Sequence, residues 1–345
     1  VVLIKTLRAN TLETKINVHI HTGINFEPDK IPLLNAAQHR NLISDLLQGQ
    51  GYSPSYVESL PYFDSRLPVK QNWGYDGNVD YYRYNHDTDW QQTIYDSKWN
   101  QNVYLNVAGG DEVAKYVLSL GYLNQQGTLK NTHLQRFNTR FNSEVSLSKD
   151  VTFQSNMSFI YGNKDMMNEG ANTRLNPMLA AMLKSPFTAS HVNNVEGLLS
   201  PNEEHADVFG NSNPYVLSNN LLLANINYRF MGTFSLSWSV NKNLSLNTSF
   251  GLNFNKERER VFYPSVGILF DPLRDNEITN EMESRTDRLF SLFSDTYADY
   301  RKIFSSDHKL NVRVGTRYQN NKAEDDFGKA YNSSSDDFKT IGYGI

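Results

Sequence analysis

The chain has 345 residues, a formal net charge of −4 and no cysteine, which excludes disulfides, thiolate metal sites and cysteine nucleophiles. Its mean hydropathy is −0.56, and it lacks any run of about 18 apolar residues, which excludes a membrane protein built of spanning helices. The near-neutral charge gives no reason to expect nucleic acid as a partner, whereas an aromatic content of 12% fits the aromatic girdles of membrane barrels as well as polysaccharide-binding proteins.

Nine segments alternate between apolar and polar residues with a period of two, which is typical of β-strands with one dry face and one wet face. They lie near residues 15–26, 100–108, 114–123, 135–148, 151–162, 223–240, 244–255, 289–303 and 309–319. The sixth is the clearest, since every even-numbered residue between 224 and 240 is apolar, aromatic or glycine. It is about three times as long as a usual strand of a soluble domain.

The eighth segment has an uncertain register. Two sets of apolar side chains compete for its dry face, namely Leu289, Phe293 and Tyr297 against Phe290, Leu292 and Tyr300. The wet faces of the other segments are rich in uncharged amides, namely Asn17, Asn102, Asn106, Asn142, Asn156, Asn227, Asn247 and Asn253. In a barrel these amides would line the lumen, where they would contact either a plug or a substrate.

Short and long connections alternate along the whole chain. The short polar links are 109–112, 148–150, 241–243 and 305–308, and the long ones are 27–98, 123–134, 163–221, 256–287 and the residues after 319. This alternation is typical of outer-membrane barrels, which have short periplasmic turns and long external loops. A long-stranded soluble sandwich or β-helix remains an alternative, although such a fold has no reason to place every long connection at one end.

The sixth segment also matches the thickness of a membrane. Tyr228 and Trp238 are ten residues apart, roughly 33 Å along a strand at about 3.3 Å per residue. A tilt of about 40° reduces this to roughly 25 Å, the height of the apolar band between two aromatic girdles. The aromatic residues predicted to lie at the membrane interfaces are Tyr122, Phe137, Tyr161, Tyr228, Trp238, Phe254 and Tyr318.

These patterns predict an all-β fold, a transmembrane antiparallel β-barrel with long external loops. Nine strands cannot close, because bacterial barrels have even strand numbers and an open edge is not viable in lipid. A 22-stranded plugged transporter, at roughly 38 residues per strand, would need on the order of 840 residues for its barrel. We therefore interpret the chain, which has neither an initiator Met nor a signal peptide, as an interior fragment of such a barrel.

Seven stretches occur in the order expected of one known family, namely VVLIKT (1–6), LNAAQHRNLISDLL (34–47), DTDWQ (87–91), NQNVYLNVAGG (100–110), GYLNQQGTLKN (121–131), RFNTRFN (136–142) and NPMLAAML (176–183). On these motifs the chain resembles the SusC/RagA-type TonB-dependent transporters of Gram-negative outer membranes. The resemblance implies that residues 1–10 end a plug domain, that residues 11–345 begin the barrel, and that short helices at 34–47 and 176–183 lie in external loops. It is weaker at residues 9–10, where the family usually has a glycine, and at the eighth strand and residues 256–288.

The resemblance implies TonB-dependent import of oligosaccharides or peptides across a Gram-negative outer membrane. The implied partners are a SusD-like lipoprotein over the barrel mouth, the TonB complex acting through a plug, and the lipid bilayer with its lipopolysaccharide (LPS). Two alternatives are a TonB-dependent siderophore or cobalamin receptor, for which the expected cationic loop clusters do not stand out, and a non-transporting adhesin or structural barrel. No Ser/His/Asp constellation, paired-carboxylate motif or phosphate loop stands out, so we do not expect an enzyme.

Aromatic residues crowd the first long loop, which makes it the candidate site for substrate or partner contact. They are Trp73, Tyr75, Tyr81, Tyr82, Tyr84 and Trp90. Flat rings with a polar edge bind sugar faces and partner proteins well. The alternative is that these rings form a small core that keeps a loop of about 70 residues folded.

Metal sites receive only weak support, and we expect no cofactor beyond a candidate structural calcium ion. Asp76, Asn78, Asp80 and Asp87 occupy positions 1, 3, 5 and 12 of a calcium-loop pattern. Tyr81 stands where the pattern needs a glycine, however, and position 12 is Asp rather than Glu, so a solvated loop is the favoured explanation of these residues.

Two other groups of polar residues have simpler interpretations than a site. His19 and His21 share the wet face of the first segment, where they would bind a metal, sense pH or serve as polar lining. The lining is favoured, because no third ligand is nearby. The acidic pairs at 203–204 and 325–326 are predicted to be solvated loop charge.

Overall fold

The computed structural model describes residues 13–60, 62–63, 84, 86–171, 175–193, 199–201, 210–268, 279–305 and 308–345. The predicted end of a plug domain at residues 1–10 lies outside them. The described strands are β1 (Lys15–Asn25), β2 (Lys98–Gly110), β3 (Ala114–Gln126), β4 (His133–Ser146), β5 (Val151–Asp165), β6 (His191–Asn193), β7 (Leu199–Pro201), β8 (Leu222–Ser239), β9 (Leu244–Tyr263), β10 (Glu281–Ser305) and β11 (His308–Tyr331).

One antiparallel sheet of nine strands dominates the structure. Its order is β1-β2-β3-β4-β5-β8-β9-β10-β11, while β6 and β7 form a separate two-stranded pair. Each strand of the large sheet therefore pairs with its nearest large-sheet neighbours along the chain, as in the wall of an up-and-down barrel. Each of the nine alternating segments lies on one of these strands, so the predicted all-β wall is confirmed.

The structure settles the ambiguous register of β10. Phe290 is paired with Phe254 of β9, and Tyr300 is paired with Leu244. Phe290, Leu292 and Tyr300 therefore belong to the face that carries the even-numbered apolar residues of β8 and β9, which we call the apolar face. The competing set, which includes Phe293 and Tyr297, lies with the polar residues on the opposite side, the polar face.

Three strands are longer than the sequence predicts. β9 continues to Tyr263, β10 already begins at Glu281, and β11 extends to Tyr331. Residues 256–263 and 281–287 of the expected loop, and residues 320–331 of the expected open end, are therefore strand. The prediction was wrong because both faces become polar or charged there, so the period-two contrast on which it relied disappears.

The acidic pair at 325–326 is part of β11 and not of a loop. Asp325 accepts a hydrogen bond from Arg285 at 2.8 Å, and Arg288 lies 3.3 Å from Asp326. These two pairs lie on opposite faces of the sheet, since the sequence neighbours Asp325 and Asp326 point to opposite sides. Cross-strand ion pairs thus support the extended parts of β10 and β11.

The two faces differ in their contacts as well as in their composition. Tyr122, Phe137, Tyr161 and Tyr228 occupy directly paired positions on β3, β4, β5 and β8, and the successive ring centroids are 4.7, 6.4 and 5.1 Å apart. This continuous row of rings lies on the apolar face. Hydroxyls on the same face bond to one another, as Thr248 and Thr296 do at 2.7 Å, which satisfies them without water.

Short turns join the strands at one end of the sheet. In the β2–β3 turn, Asp111 Oδ1 accepts hydrogen bonds from the amides of Val113 and Ala114 at 2.8 and 2.7 Å. Gly110 is required there, because it adopts a φ of +154° and a Cβ would lie 2.3 Å from the carbonyl oxygen of Ala114. Asn241 closes the β8–β9 turn in the same way as Asp111. The long connections lie at the other end of the sheet, which confirms the alternation.

The long connections carry short helices, which together form an external loop layer. They are α1 (Ala36–Gly49), α2 (Pro54–Glu58), α3 (Trp90–Ile94), α4 (Pro177–Leu183) and α5 (Pro214–Asn219), and a 3-10 turn follows at Ile341–Tyr343. The helices expected at 34–47 and 176–183 are thus confirmed as α1 and α4. α1 starts with a capping box in which Asn35 and Gln38 bond to each other's backbone amides. None of the described helices is long and apolar enough to cross a membrane.

Candidate functional site

The polar face presents a surface of amides and hydroxyls. Asn227 Nδ2 and Arg229 Nε both donate to Asn255 Oδ1, at 3.1 and 3.2 Å. Ser235 and Ser249 share a hydrogen bond of 2.9 Å between their hydroxyls further along the same strands. Such groups both donate and accept hydrogen bonds, which suits uncharged polar ligands such as sugar hydroxyls or peptide groups. The eight asparagines predicted to face the lumen all belong to this face by register.

Towards the turn end, β10 and β11 add charge to the polar face. Arg313 donates two hydrogen bonds to Asp299, at 2.7 and 2.8 Å, and Arg317 donates one to Asp295 at 2.9 Å. We call these four residues the Arg–Asp ladder. The guanidinium of Arg313 lies 4.3 Å from the ring centroid of Tyr297, a distance at which a cation and a ring attract each other.

The ladder stays open to contact from the polar side. The side chains of Arg313 and Arg317 are 59% and 67% exposed although each is paired. The ladder was not predicted from the sequence, because the register of β10 was ambiguous. The odd-numbered Asp295 and Asp299 were the available signal, since carboxylates are costly in lipid and point to the polar side.

Trp90 belongs to the core of the external loop layer. It is 3% exposed, and its Nε1 donates to the carbonyl oxygen of Ser185 at 3.0 Å. Its ring belongs to a cluster with Ile94, Leu129 and Ala181, which ties three separate connections together. A ring buried this far cannot offer its face to a sugar, so the predicted contact role of Trp90 is corrected to a structural one.

Tyr84 is likewise part of a loop core, centred on Phe187. Phe187 is 0% exposed and lies in a cluster with Ala36 and Ile43 of α1, against which Tyr84 packs. Arg40 lies 5.3 Å above the Phe187 ring. Sequence analysis missed Phe187, because it stands in an irregular segment without periodicity. The other four aromatic candidates, Trp73, Tyr75, Tyr81 and Tyr82, lie outside the described residues, so their contact role stays a prediction.

A cavity of about 380 Å³ opens between the first and third external connections. Lys30 and Asp89 form an ion pair of 2.6 Å on its wall, and the side chain of Gln91 bonds both backbone groups of Ile31, at 2.8 and 2.9 Å. The volume lies within the range of small-molecule sites. The cavity therefore offers a mixed polar and apolar wall that is held by loop–loop hydrogen bonds.

The pKa of the Asp89 carboxyl on this wall departs from its ordinary value. Burial raises the pKa of the Asp89 carboxyl, but hydrogen bonds from Lys30 and from the backbone amide of Gln92 outweigh it, so the net pKa is lowered. Asp89 also caps the N-terminus of α3. The charged form of this carboxylate thus supports the loop–loop contact and the helix start at the same time.

The metal predictions remain untested. Asp87 accepts a hydrogen bond from the amide of Ala36 at 2.8 Å, which joins it to the first turn of α1; the other calcium candidates, Asp76, Asn78 and Asp80, lie outside the described residues. His19 and His21 lie together on the polar face of β1. Across the described part of the chain, no group of three or more His, Cys, Asp or Glu residues is placed to hold a metal ion.

The predicted interface aromatics all lie on the apolar face. Trp238, Phe254 and Tyr318 lie on the same face as the ring row that runs from Tyr122 to Tyr228 but outside that row, and all three rings are exposed on the sheet surface. Their depth in a membrane is a prediction that the protein fold alone does not test.

Comparisons with known proteins agree with this geometry. No protein-family model matches the chain. Two curated proteins of Formosa agariphila are similar to it: TonB-dependent receptor P39, 23% identical over 62% of this chain and 19% of that protein, and TonB-dependent receptor P3, 26% identical over 66% of this chain and 22% of that protein. The chain thus spans about a fifth of the length of these relatives.

The solved structures of the RagAB peptide importer share the fold. In its closed-closed and open-open states, the matching chain aligns with a TM-score of 0.69, 16% identity and coverage of 99% of this chain and 38% of that chain. The resemblance to SusC/RagA-type TonB-dependent transporters is therefore confirmed, over part of the length of those proteins. The predicted fold class is confirmed with it.

Proposed function

We propose that the chain forms part of a plugged outer-membrane barrel that imports nutrient oligosaccharides or peptides into a Gram-negative bacterium with energy from TonB. One observation carries the proposal: nine consecutive antiparallel strands have an apolar face, a polar face, short turns at one end and a folded loop layer at the other. A membrane wall needs this combination, because lipid excludes unpaired backbone groups and polar side chains. The match with the RagAB fold over 99% of the chain supports it.

The cargo that suits the polar face best is an uncharged polar chain. The amides and hydroxyls of the polar face both donate and accept hydrogen bonds. The Arg–Asp ladder adds exposed guanidinium groups that are already neutralised by carboxylates. Sugar hydroxyls and peptide groups are the ligands that such a lining binds without a large desolvation cost. Chemistry catalysed by the chain itself is not part of the proposal.

The proposed partners are those that the family resemblance implies. A SusD-like lipoprotein would cover the loop layer, whose apolar side chains Ile31, Leu33 and Leu34 are exposed beside the cavity. The TonB complex would act on a plug inside the barrel. A siderophore or cobalamin receptor of the same fold is the second candidate, and a non-transporting adhesin or structural barrel is the third; no particular contact favours either.

Uptake in cells tests the proposal. The full-length gene is deleted and restored, and uptake of labelled oligosaccharide and peptide mixtures is measured with and without a protonophore that collapses the inner-membrane proton gradient. We expect deletion to abolish uptake of one mixture and the protonophore to abolish it in the restored strain. Uptake that survives both treatments contradicts the proposal, and uptake of only an iron chelate or a cobalamin supports the second candidate instead.

A pair of variants tests whether the cargo passes along the polar face. Arg313→Gln combined with Arg317→Gln removes both guanidinium groups of the Arg–Asp ladder, and we expect lower uptake at an unchanged amount of folded protein. Lys309→Gln is the matched control, because Lys309 lies on the same strand and face but outside the ladder. Equal uptake by both variants would mean that the ladder lies off the path.

A further inference from the structure

Three rings of the apolar face lie in one row toward the loop end of the sheet. Phe230 of β8, Phe254 of β9 and Phe290 of β10 are directly paired in register. All three are even-numbered and therefore lie on the apolar face. We call them the phenylalanine row.

Basic side chains begin on the same face beside and immediately beyond the phenylalanine row. They are Lys256, Arg258 and Arg260 of β9, Arg288 of β10 and Lys322 of β11, which we call the outer basic patch. Lys256 is paired with Arg288 across β9 and β10, and Lys322 is paired with Phe290 of the row itself. Two residues along a strand span roughly 7 Å, so the patch starts within about that distance of the last rings.

The patch carries a surplus of positive charge. Arg288 lies 3.3 Å from Glu324 and 3.3 Å from Asp326, and Lys322 lies 2.5 Å from Glu324. Within the patch, five cations thus share two carboxylates. Lys256, Arg258 and Arg260 have no ion-pair partner among the residues that the structure describes.

A surplus of cations just beyond a row of rings favours binding of phosphate groups of lipids. Lipid phosphates lie just outside the hydrocarbon core, where the aromatic girdle of a barrel ends. A guanidinium binds phosphate oxygens through paired hydrogen bonds, and an ammonium binds them as a point charge. Like charges placed opposite each other, as Lys256 and Arg288 are, destabilise a sheet. Glu324 and Asp326 compensate Arg288, whereas the ammonium of Lys256 is left to attract an external anion.

We propose that the outer basic patch binds the phosphate groups of an anionic lipid in the outer leaflet of the membrane. The proposal rests on the proposed function, since the apolar face must lie in an outer membrane. Beyond the proposed function, the lipid proposal names a site, its ligand and its residues. A phosphate would bridge Lys256 and Arg288, and Arg258, two residues further along β9, would also contact it.

Lipid binding to the full-length protein tests the patch. The protein is purified in dodecyl maltoside and titrated with dioleoylphosphatidylglycerol, with dioleoylphosphatidylcholine as the zwitterionic control and inorganic phosphate as the soluble one. Bound lipid is counted by native mass spectrometry. The outer variant combines Lys256→Gln, Arg258→Gln and Arg288→Gln.

The matched control combines Arg229→Gln, Arg285→Gln and Arg317→Gln. It removes the same number of positive charges from the polar face of neighbouring strands. We expect the affinity for phosphatidylglycerol to fall about tenfold or more in the outer variant, because each basic residue near an anionic surface contributes measurably to binding. In the control, we expect this affinity to change less than about twofold. Heat-modifiable migration in gels verifies that both variants are folded.

The remaining outcomes decide against the proposal. Equal losses in both variants indicate an unspecific charge effect, and equal binding of the two lipids indicates anchoring by rings alone. If millimolar inorganic phosphate prevents phosphatidylglycerol from binding, the patch is a site for free phosphate and not for lipid. Uptake in cells separates this proposal from the proposed transport function. If the unmodified protein imports its cargo but binds both lipids equally, only the lipid patch is overturned. If it prefers the anionic lipid but imports no cargo, only the transport function is overturned.

Discussion

Replacement of Phe234 by arginine tests the assignment of the two faces directly. Phe234 lies on the apolar face of β8, six residues from Tyr228 and four from Trp238, or about 20 and 13 Å along the strand at about 3.3 Å per residue. With a tilt of about 40° it lies close to the middle of an apolar band of about 25 Å. Arginine at that depth on the lipid side should cost about 2–4 kcal/mol in the free energy of unfolding.

Two further variants separate the charge from the packing. The Phe234 ring stacks on Phe153 with a centroid distance of 6.4 Å, so Phe234→Ala measures the lost contact without a charge. Ser235→Arg places the same arginine on the polar face, where it loses only the hydroxyl bond to Ser249, worth about 0.5–1.5 kcal/mol. The cost of Phe234→Arg should exceed the costs of both controls.

The assay is a reversible denaturant titration of the full-length protein into lipid vesicles, followed by heat-modifiable migration and tryptophan fluorescence. Equal costs for arginine at positions 234 and 235 would refute the assignment of faces. A larger cost at 235 would mean that the barrel is inverted relative to our interpretation. Either result would also remove the basis for an apolar face in contact with lipid.

Three further predictions concern the loop layer and the hydroxyls of the apolar face. Phe187→Ala should destabilise the loop layer by about 3–5 kcal/mol, seen as faster hydrogen exchange across α1 while the strands keep their protection. Asp89 has a lowered pKa, so its contribution is complete above the ordinary carboxyl pKa of about 3.9 and is lost as the pH falls through the lower folded value. Exchange near α3 should therefore accelerate below about pH 4 in the natural protein, whereas Asp89→Ala, which removes both the ion pair and the helix cap, should lack this pH-dependent protection. Thr296→Val should cost about 1–3 kcal/mol by leaving the Thr248 hydroxyl without a partner in lipid, whereas the double change Thr248→Val with Thr296→Val should restore most of the stability in the same vesicle titration.

The site is less predictable from sequence than the wall. Trp90 and Tyr84 were candidate contact residues, but Trp90 is a buried core residue of the loop layer and Tyr84 packs against a second buried cluster of that layer. Phe187, around which Tyr84 and Arg40 pack, carried no recognisable pattern. Loop cores form from residues that are far apart in the chain, and no short-range periodicity describes such contacts.

The sequence by itself determined the strands, their two faces and the ends that carry turns, because a strand in a membrane wall must alternate strictly between lipid and lumen. Only the tertiary structure decided the register of β10, where Phe290 rather than Phe293 faces outward with Phe254. The tertiary structure also decided how far β9 to β11 extend. Backbone hydrogen bonds between strands and cross-strand ion pairs continue a strand where the contrast between an apolar and a polar face ends. The Arg–Asp ladder and the outer basic patch are both consequences of that pairing, since each unites residues from neighbouring strands.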